Sequence, residues 1–292
     1  MAPLSRRQFL QFTGVAFLAA QLPPLPIFDS QSPGTLTGRA LAAALVRTFP
    51  SSAAPATNRL WPDSVIPVLG SRDGWYHLAT GWVERSHLQP MKPYQPDPNP
   101  PAVGAPFWAE VAGPVAPVRR FCAPNAPQVA RIGHGGLARV IDYLPDEPSP
   151  WYGITDESGD LLGWSPAVHW RPAASDSPTR ADQLEIDLRQ SRIIAWGDNR
   201  RLMQAPCALG SSLLPGTYRI ESRQMAKTYR LTHPLHGVPW VVQFGAGALA
   251  GAYWHNDFGK PFTSPGPAVQ VPPLAAEWLY SALAEDAHVV VN

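Results

Sequence analysis

Short apolar runs broken by turn residues make up most of this chain. Between residues 41 and 92 the runs Leu45-Val46-Arg47, 65–69, 75–78 and Gly81-Trp82-Val83 are separated by Pro, Asn, Asp and Gly. Runs this short and this close predict the strands of a compact β-barrel. Asp73-Gly74 falls between two of them and predicts a tight hairpin turn. The layout returns over 107–172. Val118-Arg119 and Pro124 stand for Val46-Arg47 and Pro50, Trp151-Tyr152-Gly153 after Pro150 stands for Gly74-Trp75-Tyr76, and Gly163-Trp164 stands for Gly81-Trp82 after a turn at Ser158-Gly159-Asp160. Two copies of one layout support each other.

A third pattern begins at 182. Leu184, Ile186 and Leu188 alternate with Glu185 and Asp187, which predicts a half-buried strand. Residues 192–196 follow, Gly197-Asp198-Asn199 makes the next turn, and a Pro215-Gly216 loop leads into another strand. Pro272 and Pro273 suit the first turn of a helix, where no amide partner is needed. Leu274, Trp278, Leu279, Ala282 and Leu283 fall on one face of that helix. Val289-Val290-Val291 ends the chain as an edge or central strand.

Composition fits this mainly β picture. Of 292 residues 45% are hydrophobic and 35 are proline, which favours short strands, turns and stiff linkers. Proline at nearly every second position makes 93–106 a semi-rigid spacer, and 173–181 is a short polar linker. A net charge of +1, without a basic cluster, excludes a nucleic-acid footprint. Ser5-Arg6-Arg7-Gln8-Phe9-Leu10 precedes an apolar run over 12–22. That is the layout of an export signal, and the paired arginines resemble the twin-arginine type. Residues 1–40 are therefore expected to be signal and leader, with membrane contact only through that segment.

Candidate chemistry concentrates in 253–271, YWHNDFGKPFTSPGPAVQV, which mixes aromatics, an imidazole, an amide and a carboxylate with turn residues. Together with GVPWVVQF at 237–244, this stretch resembles the catalytic domain of bacterial L,D-transpeptidases, which act on peptidoglycan stem peptides through a cysteine thioester. The two earlier modules resemble bacterial SH3-like domains, through Arg47 and Pro50, Gly74-Trp75-Tyr76 and Gly81-Trp82-Val83. The resemblance implies two small SH3-like barrels (41–92 and 107–172) followed by a transpeptidase-like β domain with a C-terminal helix (182–292). It also implies an exported protein of the periplasm, cell wall or extracellular space, with peptidoglycan or a wall protein as partner and no cofactor. A family His-Gly pair reads Ala250-Gly251 here, and the Ser-His-Gly-Cys box reads Ser264-Pro265-Gly266-Pro267. Pro267 offers neither a nucleophile nor an amide N–H, Pro265 offers no imidazole, and Ala250 removes the supporting one.

Substitutes would be Ser264 or Thr263 beside His255, oriented by Asp257, or the thiol of Cys207. Cys207 also reads as small core filling, or as one half of a disulfide with Cys122. Trp240, Tyr253, Trp254, Asn256, Asp257 and Met225 occupy positions resembling the family's pocket walls. Each reads equally as packing of the loop against the sheet. The histidines are scattered; only His233 and His236 lie close, which does not suggest a metal site.

Overall fold

A computed structural model describes residues 36–292 apart from 93–94, 98–99, 103, 105, 146–148, 156–158, 175–178, 211–212, 246 and 261–263. The expected export segment, Ser158 and Thr263 lie outside the described residues. The described chain is mainly β, with 24 strands in four sheets and one α-helix. No described helix is long and apolar enough to cross a membrane.

The first module has a three-stranded sheet, in the order Val65–Pro67, Thr37–Ala40, Leu88–Met91. A five-stranded sheet runs Ala56–Leu60, Ala44–Arg47, Gly81–Glu84, Trp75–Leu78, Gly70–Arg72. Val46, Tyr76, Leu78, Val83 and Leu88 fill the space between them. The strand Thr37–Ala40 corrects the leader boundary: it pairs along its length with Leu88–Met91, so the folded chain starts before residue 41. Asp73 and Gly74 both have positive φ, 48° and 82°, as a two-residue hairpin loop needs.

The second module is a seven-stranded sheet, in the order Gln128–Gly133, Val115–Arg119, Leu161–Pro166, Trp151–Thr155, Leu137–Leu144, Phe107–Val111, Trp170–Pro172. The repeat read from the sequence holds at atomic detail. Arg47 opposes Trp82 across the strands, and Arg119 opposes Trp164. The Arg47 guanidinium donates to Ala54 O at 2.6 Å, and that of Arg119 to Ala126 O at 2.7 Å. Gly81 and Gly163 sit where a Cβ would come within 2.3 and 2.5 Å of those arginines' carbonyls. A larger residue at either position would push the strands apart.

The third domain is a nine-stranded sheet, in the order Arg200–Pro206, Arg192–Gly197, Ala181–Asp187, Leu283–Val291, Gly216–Tyr229, Leu235–Phe244, Gly247–Gly251, Val269–Val271, Ala208–Leu209. The strand Gly216–Tyr229 is long enough to pair at one end with Leu283–Val291 and at the other with Leu235–Phe244. The closing valines are therefore central, parallel to Ala181–Asp187. The helix Pro273–Ala282 buries Ala275, Ala276, Leu279 and Ala282, while Leu274 and Trp278 are only half-buried. Small residues face the sheet because the helix lies close against it. Arg223 ends the helix: its guanidinium donates to Tyr280 O at 2.9 Å and to Leu283 O, a cation at the negative end of the helix dipole.

The second and third units exchange side chains. Leu137, with half-buried Trp108 and Ala173, belongs to the third domain's core, while Tyr253 belongs to the second module's core. Gly237, at φ 62°, lies so near the second module that a Cβ would meet Leu137 O at 2.3 Å.

Candidate functional site

The chain leaves the strand Gly247–Gly251 beside Val269–Val271, with Ala250 paired in parallel register to Gln270. The residues that follow turn in different directions. The Tyr253 hydroxyl donates to His236 O, its ring packs in the second module's core, and its carbonyl accepts from Arg39 Nη1 of the first module at 3.4 Å. Burial pushes its phenol far up, against the opposing pull of Arg39. Asn256 Nδ2 donates to Arg85 O at 2.9 Å and Leu88 O at 2.8 Å, both in the first module. Tyr253 and Asn256 thus fasten all three units together. Gly133 allows this approach, since a Cβ there would meet Arg39 Nη1 at 2.4 Å and Tyr253 Cδ2 at 2.6 Å.

The remaining predicted wall residues do not converge on one cleft. Trp240 is 1% exposed, tilted against Tyr280 at 5.3 Å, with left-handed backbone (φ 58°), and its indole N–H is buried without a partner. Met225 packs half-buried on the same core. Asp257 pairs with Lys260 at 2.5 Å. Trp254 is half-buried, and its Nε1 donates to Ser264 Oγ at 2.9 Å.

The expected Ser264–His255 pair is not assembled. His255 Nδ1 accepts the Asp257 N–H at 3.1 Å, which leaves the proton on Nε2 to donate to Gln270 Oε1 at 2.6 Å. Burial lowers the imidazole's pKa, partly offset by Gln270 and Asp257, so the ring is neutral near pH 7. Both ring nitrogens are engaged, and no lone pair is available to take a proton from a serine.

Sequence reasoning missed Gln270, the residue at the centre of this arrangement. It is completely buried, and its Nε2 donates to Ser264 O at 3.0 Å and Pro267 O at 3.1 Å, with Pro265 O at 3.4 Å. One carboxamide therefore holds both His255 and the 264–267 loop. The available signal was a lone amide inside the apolar run AVQV, which must find partners if it is buried. Within that loop Pro267 is buried and Pro265 exposed, while Ala250 is fully buried in its strand.

Cys207 is core filling. Its side chain is inaccessible, its thiol is pushed up to about 12 by burial and secondarily by Asp187, and both cysteines are reduced, so no disulfide joins it to Cys122. Its carbonyl accepts the Gly259 N–H at 2.9 Å, tying the loop to the core. Iodoacetamide at pH 8 should alkylate Cys207 on the order of 10³-fold more slowly in native protein than in urea, as the thiolate fraction requires. Peptide mass mapping of the time course reads this, and comparable rates would refute a sealed thiol.

Where the three units meet, Arg85, Gln89, Glu110, His134, His255 and Asn256 line a cavity of about 20 Å³, far too small for a peptide or glycan. His134 Nδ1 donates between Ala112 O and Gly113 O, 3.1 Å each, while Nε2 accepts the Lys92 N–H at 3.2 Å. Glu110 is gripped by Arg171 at 3.0 and 2.8 Å and lies 3.5 Å from Lys92 Nζ, which also pairs with Glu277 at 2.5 Å. Among the described residues no group of three or more His, Cys, Asp or Glu could hold a metal ion.

No family model and no curated protein matches this sequence. Among solved structures it is similar to an Enterococcus faecium L,D-transpeptidase bearing a Cys-to-Ser mutation, at 13% identity and TM-score 0.33, over 39% of this chain and 50% of that one. An L,D-transpeptidase from Stackebrandtia nassauensis gives 17% identity and TM-score 0.32, over 40% of this chain and 57% of the other. One from Mycobacterium smegmatis gives 16% identity and TM-score 0.35, over 53% and 99%. These values are too low to carry any residue's role across.

Proposed function

We propose that this is an exported, wall-associated protein. In this reading a degenerate L,D-transpeptidase-like domain, fixed to two SH3-like modules, binds peptidoglycan or a wall partner without turnover. The observation that carries the reading is Gln270. Its amide holds the imidazole of His255 and the carbonyls of Ser264 and Pro267, which supports a loop fixed for packing rather than for acyl transfer. Binding then falls to exposed surface rather than to the pocket. In the first module Leu45 lies directly opposite Arg59, whose guanidinium stacks 4.7 Å from the ring of Trp61, itself 62% exposed. Such a face suits sugar rings and carboxylate-bearing peptides.

Isolated cell wall should retain the purified protein saturably, and Trp61→Ala should reduce retention about tenfold, as loss of an aromatic anchor does. Intact-protein mass after exposure to a carbapenem or a stem peptide should be unchanged. A covalent adduct at Ser264 or Cys207 would turn the reading to a working acyltransferase. The interlocked junction around Tyr253 favours a second reading, a rigid scaffold for another wall enzyme. Co-purification of such an enzyme, without binding to bare wall, would select it.

A further inference from the structure

In each of the first two modules a hairpin turns through a loop of the same build, joining Ala44–Arg47 to Ala56–Leu60 and Val115–Arg119 to Gln128–Gly133. Thr48 N–H donates to Pro55 O and Arg120 N–H to Pro127 O, 3.0 Å each. Ser51 N–H donates to Phe49 O at 2.7 Å, and Ala123 N–H to Phe121 O at 2.8 Å. Ala54 N–H donates to Ser51 O at 3.1 Å, and Ala126 N–H to Ala123 O at 3.0 Å. In this register Cys122 rather than Pro124 takes the place of Pro50, and Phe121 that of Phe49. Those two phenylalanines are 53% and 61% exposed. The rest of each tip differs, Thr48, Pro50 and Ser51 against Arg120, Cys122 and Ala123, so the protruding ring is what the tips share. One exposed ring needs no explanation, but the same ring held out by the same turn in two copies does.

Charge on these hairpins is one-sided. Residues 44–60 and 115–133 carry Arg47, Arg59, Arg119, Arg120 and Arg131 and no aspartate or glutamate, although the chain has 22 acidic residues. Arg47 and Arg119 are bonded to their own loops and Arg131 pairs with Asp63, while Arg59 and Arg120 are exposed. Leu45 and Val129 add exposed aliphatic surface, one on each hairpin. A protein partner of ordinary size would cover about 800 Å² of matched surface, which a single ring on a small polar loop does not offer. The boundary between acyl chains and anionic headgroups takes such a ring without a shaped pocket, and it attracts arginine. We propose that Phe49 and Phe121 are paired anchors by which the first two modules rest on an anionic lipid surface, with Arg59 and Arg120 supplying the electrostatic attraction. Membrane contact expected only through residues 1–40 then extends to the folded modules, and it does not depend on wall binding.

The test is sedimentation of the full chain with vesicles of equal parts phosphatidylglycerol and phosphatidylcholine, read as a partition coefficient. Phe49→Ser and Phe121→Ser should each lower it about tenfold, and the pair about a hundredfold, as the burial of one large apolar side chain implies. Whatever residues 1–40 contribute is common to all the proteins compared. Phe49→Trp/Phe121→Trp should keep the parent's partition, since indole also favours the headgroup boundary. Arg59→Gln/Arg120→Gln should cost about tenfold on these vesicles and nothing on phosphatidylcholine alone. Urea midpoints should be unchanged throughout, because the substituted side chains are exposed. Cell-wall retention by Phe49→Ser/Phe121→Ser protein should equal the parent's, which separates these anchors from Trp61. Equal vesicle partition of parent and Phe49→Ser/Phe121→Ser protein overturns the proposal, as does a loss in the tryptophan pair as large as in the serine pair. An arginine pair that partitions like the parent on anionic vesicles removes the anionic lipid as the surface.

Discussion

Tyr253→Ala should cost about 3–5 kcal/mol in urea unfolding at 25 °C, the range for deleting a buried aromatic ring. The ring is 5% exposed, stands edge-on to Trp254 at 5.4 Å and completes the core of a module to which it does not belong in sequence. Its removal leaves a hole at the joint of all three units and loosens the approach of Arg39 to Gly133. The parent should therefore unfold in one transition followed equally by near-ultraviolet circular dichroism and tryptophan fluorescence, and the variant in two. Tyr253→Phe keeps the ring and loses only the bond to His236 O, so about 1 kcal/mol is expected. A Tyr253→Ala loss below 1 kcal/mol would mean that the joint is held elsewhere.

Acid should open the same joint. Burial holds His134 near 4 against an ordinary 6.5; Glu110 and the carbonyls of Gly113 and Ala112 oppose that shift, and Arg171 adds to it. The unfolded chain takes up a proton below pH 6.5 that the folded one refuses until about pH 4. Stability is therefore complete above 6.5 and falls as pH drops through that window, by about 3 kcal/mol for this residue. A protonated Nε2 could no longer accept the Lys92 N–H, which would release the start of the spacer from the second module. His255 and His169 are lowered in the same direction, chiefly by burial, and steepen the loss. Urea midpoints measured from pH 4 to 8 read the slope. His134→Gln should flatten it whatever its effect at pH 7, and an identical slope in that variant would remove His134 as the cause.

Much of the fold was legible in the sequence because local chemistry decided it. Alternation set the strand Ala181–Asp187, Asp73-Gly74 and Asp198-Asn199 supplied positive φ at hairpin turns, and Pro273 opened the helix. The repeated Arg and Gly positions predicted two like modules, and in the structure each arginine bonds a loop carbonyl seven residues on, Ala54 O for Arg47 and Ala126 O for Arg119. The chain alone also determined that no cysteine follows Cys207 and that no histidine stands between His255 and His288.

Only the tertiary structure decided what the 253–271 stretch does. Tyr253 and Asn256 look like cleft residues in one dimension, yet they pack on or bond to units lying more than eighty residues earlier in the chain, because burial partners are set by docking rather than by spacing. Gln270 gave almost no signal because an amide's partners are backbone carbonyls, which every sequence contains and none advertises. Residue order thus settled the strands and the turns. The packing of one domain on another settled which polar side chains became joints, since a buried donor takes whichever acceptor the fold brings within 3 Å.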